Sequence, residues 1–184
     1  MKQSASQTVG PFFRIGLIYG QAQNNLVNEN TSGERIMLTG VVLDGDGQPI
    51  PDALLEIWQP DAKGIFNHPL DPLHDQADPH FHGFGRAENR NAGEYEFKTI
   101  KPGRRDGMPP YINVHVFARG MLVHAMTRIY FSDEADNDRD PVLNAVESKR
   151  RHTLIATREE STGLPVYRFD IRMQGEEETV FFNA

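Results

Sequence analysis

The sequence contains no cysteine among its 184 residues. This absence excludes disulfide bonds, thiolate zinc sites and a cysteine nucleophile. Positive charge is also scarce, because 26 acidic residues outnumber 19 lysines and arginines and leave a formal net charge of −7. A nucleic-acid backbone requires clustered Lys and Arg side chains, and no basic run occurs. We therefore expect no nucleic-acid partner.

Long apolar runs are missing as well. A transmembrane helix needs about 18 consecutive apolar residues, and no stretch of the sequence reaches that length. The N-terminal stretch MKQSASQTVGPFFRIG also lacks the apolar core of a secretory signal. The expected location is the cytoplasm, without a membrane partner.

The residues that are present have the balance of an ordinary globular protein, with 38% hydrophobic and 24% charged residues. The 16 glycines and 12 prolines favour many short elements over a few long helices. The length suits one domain with a sizeable core. We therefore expect residues 1–184 to form a single domain, in which residues 1–34 are an N-terminal arm and loop.

Alternating apolar and polar residues between turn residues predict eight strands. They cover residues 35–44, 53–59, 94–100, 111–118, 125–131, 153–157, 165–173 and 178–182. One helix is predicted over residues 140–147, because Asp140 can cap it and Pro141 suits its first position. Residues 60–91 have no clean period and are predicted to form a long loop. The predicted fold is mainly β, an antiparallel two-sheet β-sandwich of transthyretin- or immunoglobulin-like topology, with long loops and one short helix.

The strand predicted over residues 111–118 raises a question about metal binding. Asn113 and His115 share one face of this strand. A histidine at position 113 would place two imidazoles within reach of a single metal ion. Because the sequence has asparagine there, three interpretations stay open: a metal-site strand, a metal-site strand that has lost its metal, or ordinary sheet.

Four of the seven histidines lie in the loop predicted over residues 60–91. Their spacing follows no structural-zinc pattern, and a loop does not fix two rings on one face. We interpret the segment as a polar, acidic surface loop. The four are His68, His74, His80 and His82.

Two further features have no role that spacing alone can assign. Arg119 directly follows the strand, where a guanidinium could clamp a carboxylate, but on spacing alone a surface arginine paired with an acidic neighbour is the favoured interpretation. Near the N-terminus, SQTVGPFF places Gly10 and Pro11 before Phe12 and Phe13. Such an arm needs to dock its aromatic side chains on its own core or on a partner chain. A packed terminal strand is the simpler alternative.

Several segments together resemble the intradiol ring-cleaving dioxygenases. They are SQTVGPFF, GVVLDGDGQPIPDALLEIWQPDAKG, DPHFHGFGR, TIKPG, INVHVFARG, RIYFSDEA and YRFDIRMQGEEETVFF, and they span nearly the whole chain. LEIWQPDAKG, TIKPG and YRFDI are specific in combination, whereas DGDGQPIPDA alone recurs in unrelated sandwiches. In this family two tyrosinates and two histidines hold a ferric ion, and the catechol bound to it as a dianion becomes open to attack by O₂.

The resemblance implies that this chain has lost most of that iron site. The first tyrosine position corresponds to Phe66, the second to Arg105 and the first histidine to Asn113, so that only His115 remains. A phenyl ring cannot ligate, a guanidinium repels Fe³⁺, and an amide is a poor substitute for imidazole. We therefore predict that this chain binds no metal itself, and we interpret residues 111–118 as a metal-site strand that has lost its metal.

Within the family, these replacements are typical of an α chain that pairs with a homologous, iron-bearing β chain. The resemblance implies that Fe³⁺ lies in the β subunit and that αβ units assemble into a larger oligomer. The α chain would have no catalytic residue of its own and would be inactive alone. It would contribute the substrate-binding residues Thr8, Gly10, Pro11 and Arg119.

The resemblance also implies a reaction. The substrates would be 3,4-dihydroxybenzoate and O₂, and the product 3-carboxy-cis,cis-muconate, within the β-ketoadipate pathway of aromatic catabolism. Trp58 is expected in the core, since it lies in a strand of apolar alternation.

Two other classes of function stay open. A non-catalytic transthyretin-like binding module would explain DGDGQPIPDA and the missing ligands, but not the arm together with FARG and TIKPG. A self-sufficient metalloenzyme would use His115 with a loop histidine such as His68 or His80, and would show no tyrosinate-to-iron absorption.

Overall fold

The fold is seen in a computed structural model that describes residues 5–18, 23–88 and 93–183. Within these ranges the strands are β1 (Arg35–Leu43), β2 (Leu54–Trp58), β3 (Phe84–Glu88), β4 (Glu94–Ile100), β5 (Ile112–Phe117), β6 (Ala125–Phe131), β7 (Ile155–Glu159), β8 (Val166–Arg168) and β9 (Ile171–Arg172). The α-helices are α1 (Pro11–Ile18) and α2 (Pro141–Ala145), with 3₁₀ turns at His74–Gln76, Asn137–Arg139 and Ser148–Leu154. No helix in the described ranges is long and apolar enough to cross a membrane.

The strands are joined in the order β3–β2–β5–β6–β7–β8–β1–β4, with β9 also paired to β1. The prediction of a mainly β fold is confirmed. The prediction of an antiparallel sheet is wrong at three pairings, because β1 runs parallel to β8 and β9, and β6 runs parallel to β7. The described strands follow one continuous hydrogen-bonded path, so the predicted division into two sheets is not confirmed.

The two ends of this path, β3 and β4, come together and curl the sheet around its core. The segment before β1 lies between them. The Arg86 N–H of β3 donates to the carbonyl of Gln23 at 3.0 Å, and the Lys98 N–H of β4 donates to the carbonyl of Asn24 at 2.8 Å. The polypeptide thus bridges the gap that the sheet leaves open.

Alternation along the strands decides which side chains enter the core. In β5, Ile112, Val114 and Val116 are buried, whereas Asn113 and His115 point to the other face and are half-buried. In β2, Leu55 and Ile57 belong to the core cluster, and Trp58 shares the outer face with Glu56. The expectation that Trp58 lies in the core is therefore wrong: its position in the alternation is that of the outer side chains.

The predicted elements agree best with the observed ones where the alternation of apolar and polar residues is long. Strands β4 and β6 have the predicted bounds, and the predicted helix appears as α2, with the Asp140 carboxylate accepting from the Val142 and Leu143 amides. The strand predicted over residues 165–173 is split into β8 and β9. Residues 178–182 contribute only an isolated bridge between Phe182 and Met126.

Two elements differ in kind from the prediction. Strand β3 lies within the predicted loop, of which residues 89–91 are outside the described ranges. The arm forms the helix α1 rather than a packed terminal strand. This helix leaves Phe12 90% and Ile15 50% exposed, while the side chain of Phe13 is not among those described.

Candidate substrate-facing arm and vacant ligand positions

The N-terminal arm is tied to the turn that follows β5. The Gly120 N–H donates to the Thr8 hydroxyl oxygen at 2.7 Å, and the Thr8 hydroxyl donates to the carbonyl of Ala118 at 3.4 Å. These two bonds flank Arg119 in the sequence. The structure therefore brings together Thr8 and Arg119, which are more than 100 positions apart in the chain.

A cavity of about 430 Å³ lies between the arm and this turn. The arm lines it with Thr8 and Gly10, and the end of β5 and the following turn line it with Phe117, Met121 and His124. Pro11 directly follows as the first residue of α1. His124 was not singled out by its sequence context, which carries no signal beyond its nearness to the FARG segment.

Arg119 itself extends from the turn towards solvent. Its side chain is 67% exposed, and its Nε lies 3.1 Å from the Asp52 carboxylate. The turn is possible because Gly120 adopts a φ of +84°, a backbone conformation that other residues rarely adopt. The guanidinium thus has an ion pair at Nε, and its terminal nitrogens have no hydrogen bond with the residues that the structure describes.

Replacing Thr8 with valine should release the arm from this turn. The change keeps the shape of the side chain but removes the acceptor of the Gly120 N–H. A hydrogen bond contributes about 1 kcal/mol, so we expect amide exchange at Gly120 to become about fivefold faster. Thr8→Ser keeps the hydroxyl and should preserve the protection measured by NMR. Equal protection in both variants would show that the bond does not hold the arm.

The four positions that the family resemblance aligns with iron ligands gather on the outer face of the sheet. The Phe66 ring stacks on Trp58, with 5.5 Å between centroids and 17° between planes. The Arg105 guanidinium carbon lies 5.4 Å from the centroid of the Phe66 ring. Asn113 is paired directly with Trp58 across β5 and β2, and His115 follows two residues later on the same face. We call Phe66, Arg105, Asn113 and His115 the ligand-position cluster.

Arg105 is bonded within its own chain. Its Nη1 donates to the Gly64 carbonyl at 2.9 Å and to the Asp71 carboxylate at 2.6 Å. Gly64 permits this approach, because a Cβ there would lie 2.0 Å from the carbonyl oxygen of Arg104. The guanidinium therefore fixes the loop that carries Phe66, at a position where the family has a tyrosinate.

The Asp71 carboxylate has an altered proton affinity. Burial acts to raise the pKa of Asp71, but hydrogen bonds from the Leu73 amide, from Arg105 and from the Phe66 amide outweigh this effect and hold the pKa below its ordinary value. The side chain is only 2% exposed. Asp71 therefore remains ionised in the folded chain at neutral pH and in mild acid.

This depressed pKa predicts a dependence of stability on pH. Because the folded pKa lies below the unfolded value of about 4, the stabilisation from Asp71 is fully present above that pH. It is lost as the pH falls through the folded pKa. In urea unfolding, the difference in free energy of unfolding between the parent chain and Asp71→Asn should be smaller at pH 3 than at pH 7. An equal difference at both pH values would contradict this role of Asp71.

His115 is the one imidazole of the ligand-position cluster. Its ring stacks on His124, with 4.8 Å between centroids and 22° between planes. Burial and the nearby His124 lower the pKa of His115, and Glu56 on the adjacent strand opposes this shift. The low pKa favours a neutral ring at neutral pH, and the stacking joins the cluster to the cavity at the arm.

The histidines of the predicted loop lie at or near the surface. His68, His80 and His82 are exposed and His74 is half-buried, which agrees with a polar surface loop. Across residues 5–18, 23–88 and 93–183, no group of three or more His, Asp or Glu side chains is placed to hold a metal ion.

Buried carboxylates order this loop, and the sequence analysis missed them. Asp61 accepts from the Lys63, Ile65 and Asp78 amides at 2.8 to 3.0 Å. Asp78 accepts from the amides of Ser32 and His80, each at 2.8 Å. Aspartates that bond amides two residues later are a recognisable local signal, whereas the long-range bonds leave no pattern in the sequence. These bonds keep the Phe66 segment against Trp58.

The chain thus combines a curled mixed sheet with the ligand-position cluster on the outer face of that sheet. Residues 9–175 match the family described as Dioxygenase (Dioxygenase_C). The chain belongs to the intradiol ring-cleaving dioxygenases, as its sequence motifs predicted.

Two relatives and one solved structure show how far this similarity extends. The chain is 46% identical to the protocatechuate 3,4-dioxygenase alpha chain of Burkholderia cepacia, over 100% of this chain and 98% of that one. It is 33% identical to the beta chain of the same enzyme in that organism, over 85% of this chain and 72% of the beta chain. Its fold is similar to the dioxygenase domain of a carbohydrate-binding fusion protein from Streptomyces sp. SirexAA-E, with a TM-score of 0.68 and 21% identity over 94% of this chain and 96% of that domain.

Proposed function

We propose that this chain is the non-iron α subunit of a protocatechuate 3,4-dioxygenase. The complex cleaves 3,4-dihydroxybenzoate with O₂ to 3-carboxy-cis,cis-muconate in aromatic catabolism. The observation that carries the proposal is the ligand-position cluster in a chain that aligns along its full length with an α chain. Three of its four positions hold side chains that are unsuited to ligating ferric iron.

The residues at these positions do not fit a ferric ion. Phe66 offers no donor atom, and Arg105 brings a positive charge that is already bonded to Asp71 and Gly64. Asn113 offers only an amide. We therefore assign no step at iron to this chain, and place Fe³⁺ in a homologous β subunit that keeps two tyrosinates and two histidines.

The contribution of this chain is to bind and orient the organic substrate. Arg119 has a free outer end that suits a carboxylate, because a planar guanidinium can donate two parallel hydrogen bonds to its oxygens. Thr8 and Gly10 line the adjoining cavity, and Pro11 follows them as the first residue of α1. Together they hold the carboxylated end of the ring, while the two hydroxyl groups face the β subunit.

The β subunit also accounts for exposed apolar side chains near this site. Phe12 and Ile15 on α1, and Leu122 and Val123 in the turn after Arg119, are each at least half exposed. Large apolar side chains in one region mark an interaction surface. We assign this surface to the β chain, and place the whole unit, residues 1–184 with the arm and loop at 1–34, in αβ oligomers in the cytoplasm.

Co-expression with a homologous β chain tests the proposal. We expect the two chains to purify together and to convert 3,4-dihydroxybenzoate to the ring-opened product, whereas this chain alone gives no turnover. A chain that neither binds the β chain nor affects its activity would instead fit a non-catalytic transthyretin-like module.

A further inference from the structure

The carboxylate beside Arg119 is set in place by the register of β2 and β5. Leu54 pairs with Phe117, and continuing this antiparallel pairing by two residues places Asp52 across from Arg119. The Arg119 Nε is 3.1 Å from Asp52 Oδ2. Asp52 lies in the turn that precedes β2, and its side chain is 22% exposed. Asp52 is therefore a partly buried group on the scaffold beside the exposed guanidinium of Arg119.

This contact decides which edge of the guanidinium is available. A guanidinium has five N–H groups, one on Nε and four on the two terminal nitrogens. Asp52 is the ion-pair partner of Arg119 among the described residues, with the shortest distance at Nε, and the terminal nitrogens make no hydrogen bond with these residues. A carboxylate can thus approach end-on and accept one hydrogen bond from each terminal nitrogen.

The Asp52 carboxylate depends on Arg119 in turn. Its second oxygen, Oδ1, is buried and has no hydrogen-bond partner in the described part of the chain. A half-buried carboxylate with one unsatisfied oxygen relies on the adjacent cation for compensation. Loss of Arg119 would leave this negative charge facing the place where the substrate's carboxylate binds.

We propose that Asp52 is a positioning residue that holds Arg119 by its Nε and presents the terminal nitrogens to the carboxylate of the substrate. In this way it sets the preference of the complex for carboxylated over uncarboxylated catechols. The proposal rests on the function assigned above. The negative charge of Asp52 repels the substrate's carboxylate only weakly, because the guanidinium stands between the two anions. The ordering of a long side chain is therefore the larger effect.

The test compares substrates in the αβ complex. We expect Asp52→Ala to raise the KM for 3,4-dihydroxybenzoate about tenfold, which is the scale of immobilising one long side chain. The KM for catechol and both kcat values should change less than about twofold, since no reacting atom is touched. Asp52→Asn should have an intermediate KM, because it keeps a polar side chain of the same size but loses the negative charge of the ion pair. Glu147→Gln removes an exposed carboxylate that is 3.1 Å from Lys149 and should have no effect.

A double variant separates positioning from a general structural role. In an Arg119→Ala background, Asp52→Ala should lower the KM for 3,4-dihydroxybenzoate, because it removes the uncompensated negative charge of Asp52. Equal effects on both substrates, a lower KM in the single variant, or a further rise in the double variant would each overturn the proposal. If the parent complex turns over 3,4-dihydroxybenzoate and Asp52→Ala matches it, only the role of Asp52 fails. A parent complex without turnover removes the proposed function as well.

Discussion

Replacing Arg119 with alanine in the αβ complex is expected to raise the KM for 3,4-dihydroxybenzoate about 100-fold, and the KM for catechol less than about threefold. Hydrogen bonds to a charged group contribute about 1.5–3 kcal/mol, which corresponds to roughly 10- to 150-fold in binding. The upper part of this range applies because the change also leaves Asp52 without its cation, 3.1 Å from the place that Nε occupied. Steady-state oxygen uptake with both substrates measures the difference.

Two variants sharpen this experiment. Arg119→Lys keeps the charge but not the planar fork, so its KM for the carboxylated substrate should be intermediate. Arg139→Ala removes an arginine of similar exposure, 72%, with one carboxylate partner at 3.2 Å, and should leave both KM values unchanged. If Arg119→Ala weakens both substrates to the same degree, the arginine does not bind the carboxylate.

Replacing Asp61 with alanine is expected to destabilise the chain by about 3–5 kcal/mol, because three amide hydrogen bonds are lost in a buried place. Each buried N–H left without an acceptor costs about 1–3 kcal/mol, and relaxation of the loop recovers part of the sum. For a chain of this size the loss corresponds to a melting temperature lower by roughly 10 °C. Asp61 is 1% exposed, so water cannot replace the carboxylate without opening the loop.

Asp44 provides a matched control for this loss of stability. Its carboxylate also accepts from two backbone amides, those of Asp46 at 2.9 Å and Gln48 at 2.8 Å, but in an exposed turn. Water can reach these amides in the Asp44→Ala variant, so the expected loss is below about 1 kcal/mol. Chemical unfolding of both variants gives the comparison. Similar losses for the two would show that burial is not the reason for the importance of Asp61.

The sequence predicted the extent of the strands and their buried faces better than it predicted which strands pair and in which direction. Long alternation in residues 35–43, 94–100 and 125–131 fixes both the extent of a strand and the face that enters the core. Alternation carries no information on which strand lies alongside or in which direction it runs. The parallel pairing of β1 with β8 therefore could not be predicted, because it is set by connections more than 100 residues long. Strand β3 has only five residues, of which one is glycine, and its existence depends on pairing with β2.

The site shows the same division between local and long-range information. Phe66, Arg105 and Asn113 were singled out because the family resemblance aligns each with a ligand position within a recognisable segment. The partners that hold Arg105 and Arg119 in place, Asp71 and Asp52, come from distant segments and are fixed only by loop closure and strand register. The error at Trp58 has a local cause: the apolar run ALLEIWQ does not show by itself which of its alternate residues face inward.

The central claim is that this chain completes an active site whose iron belongs to another subunit. The most direct test is to measure iron and oxygen uptake for this chain alone and for the αβ complex. We expect the lone chain to contain no iron, to show no tyrosinate-to-iron absorption, and to consume no O₂ with 3,4-dihydroxybenzoate. The complex should contain iron, show this absorption, and consume O₂ with 3,4-dihydroxybenzoate. Stoichiometric iron and oxygen uptake in the lone chain would contradict the claim and would place a metal site among its own histidines.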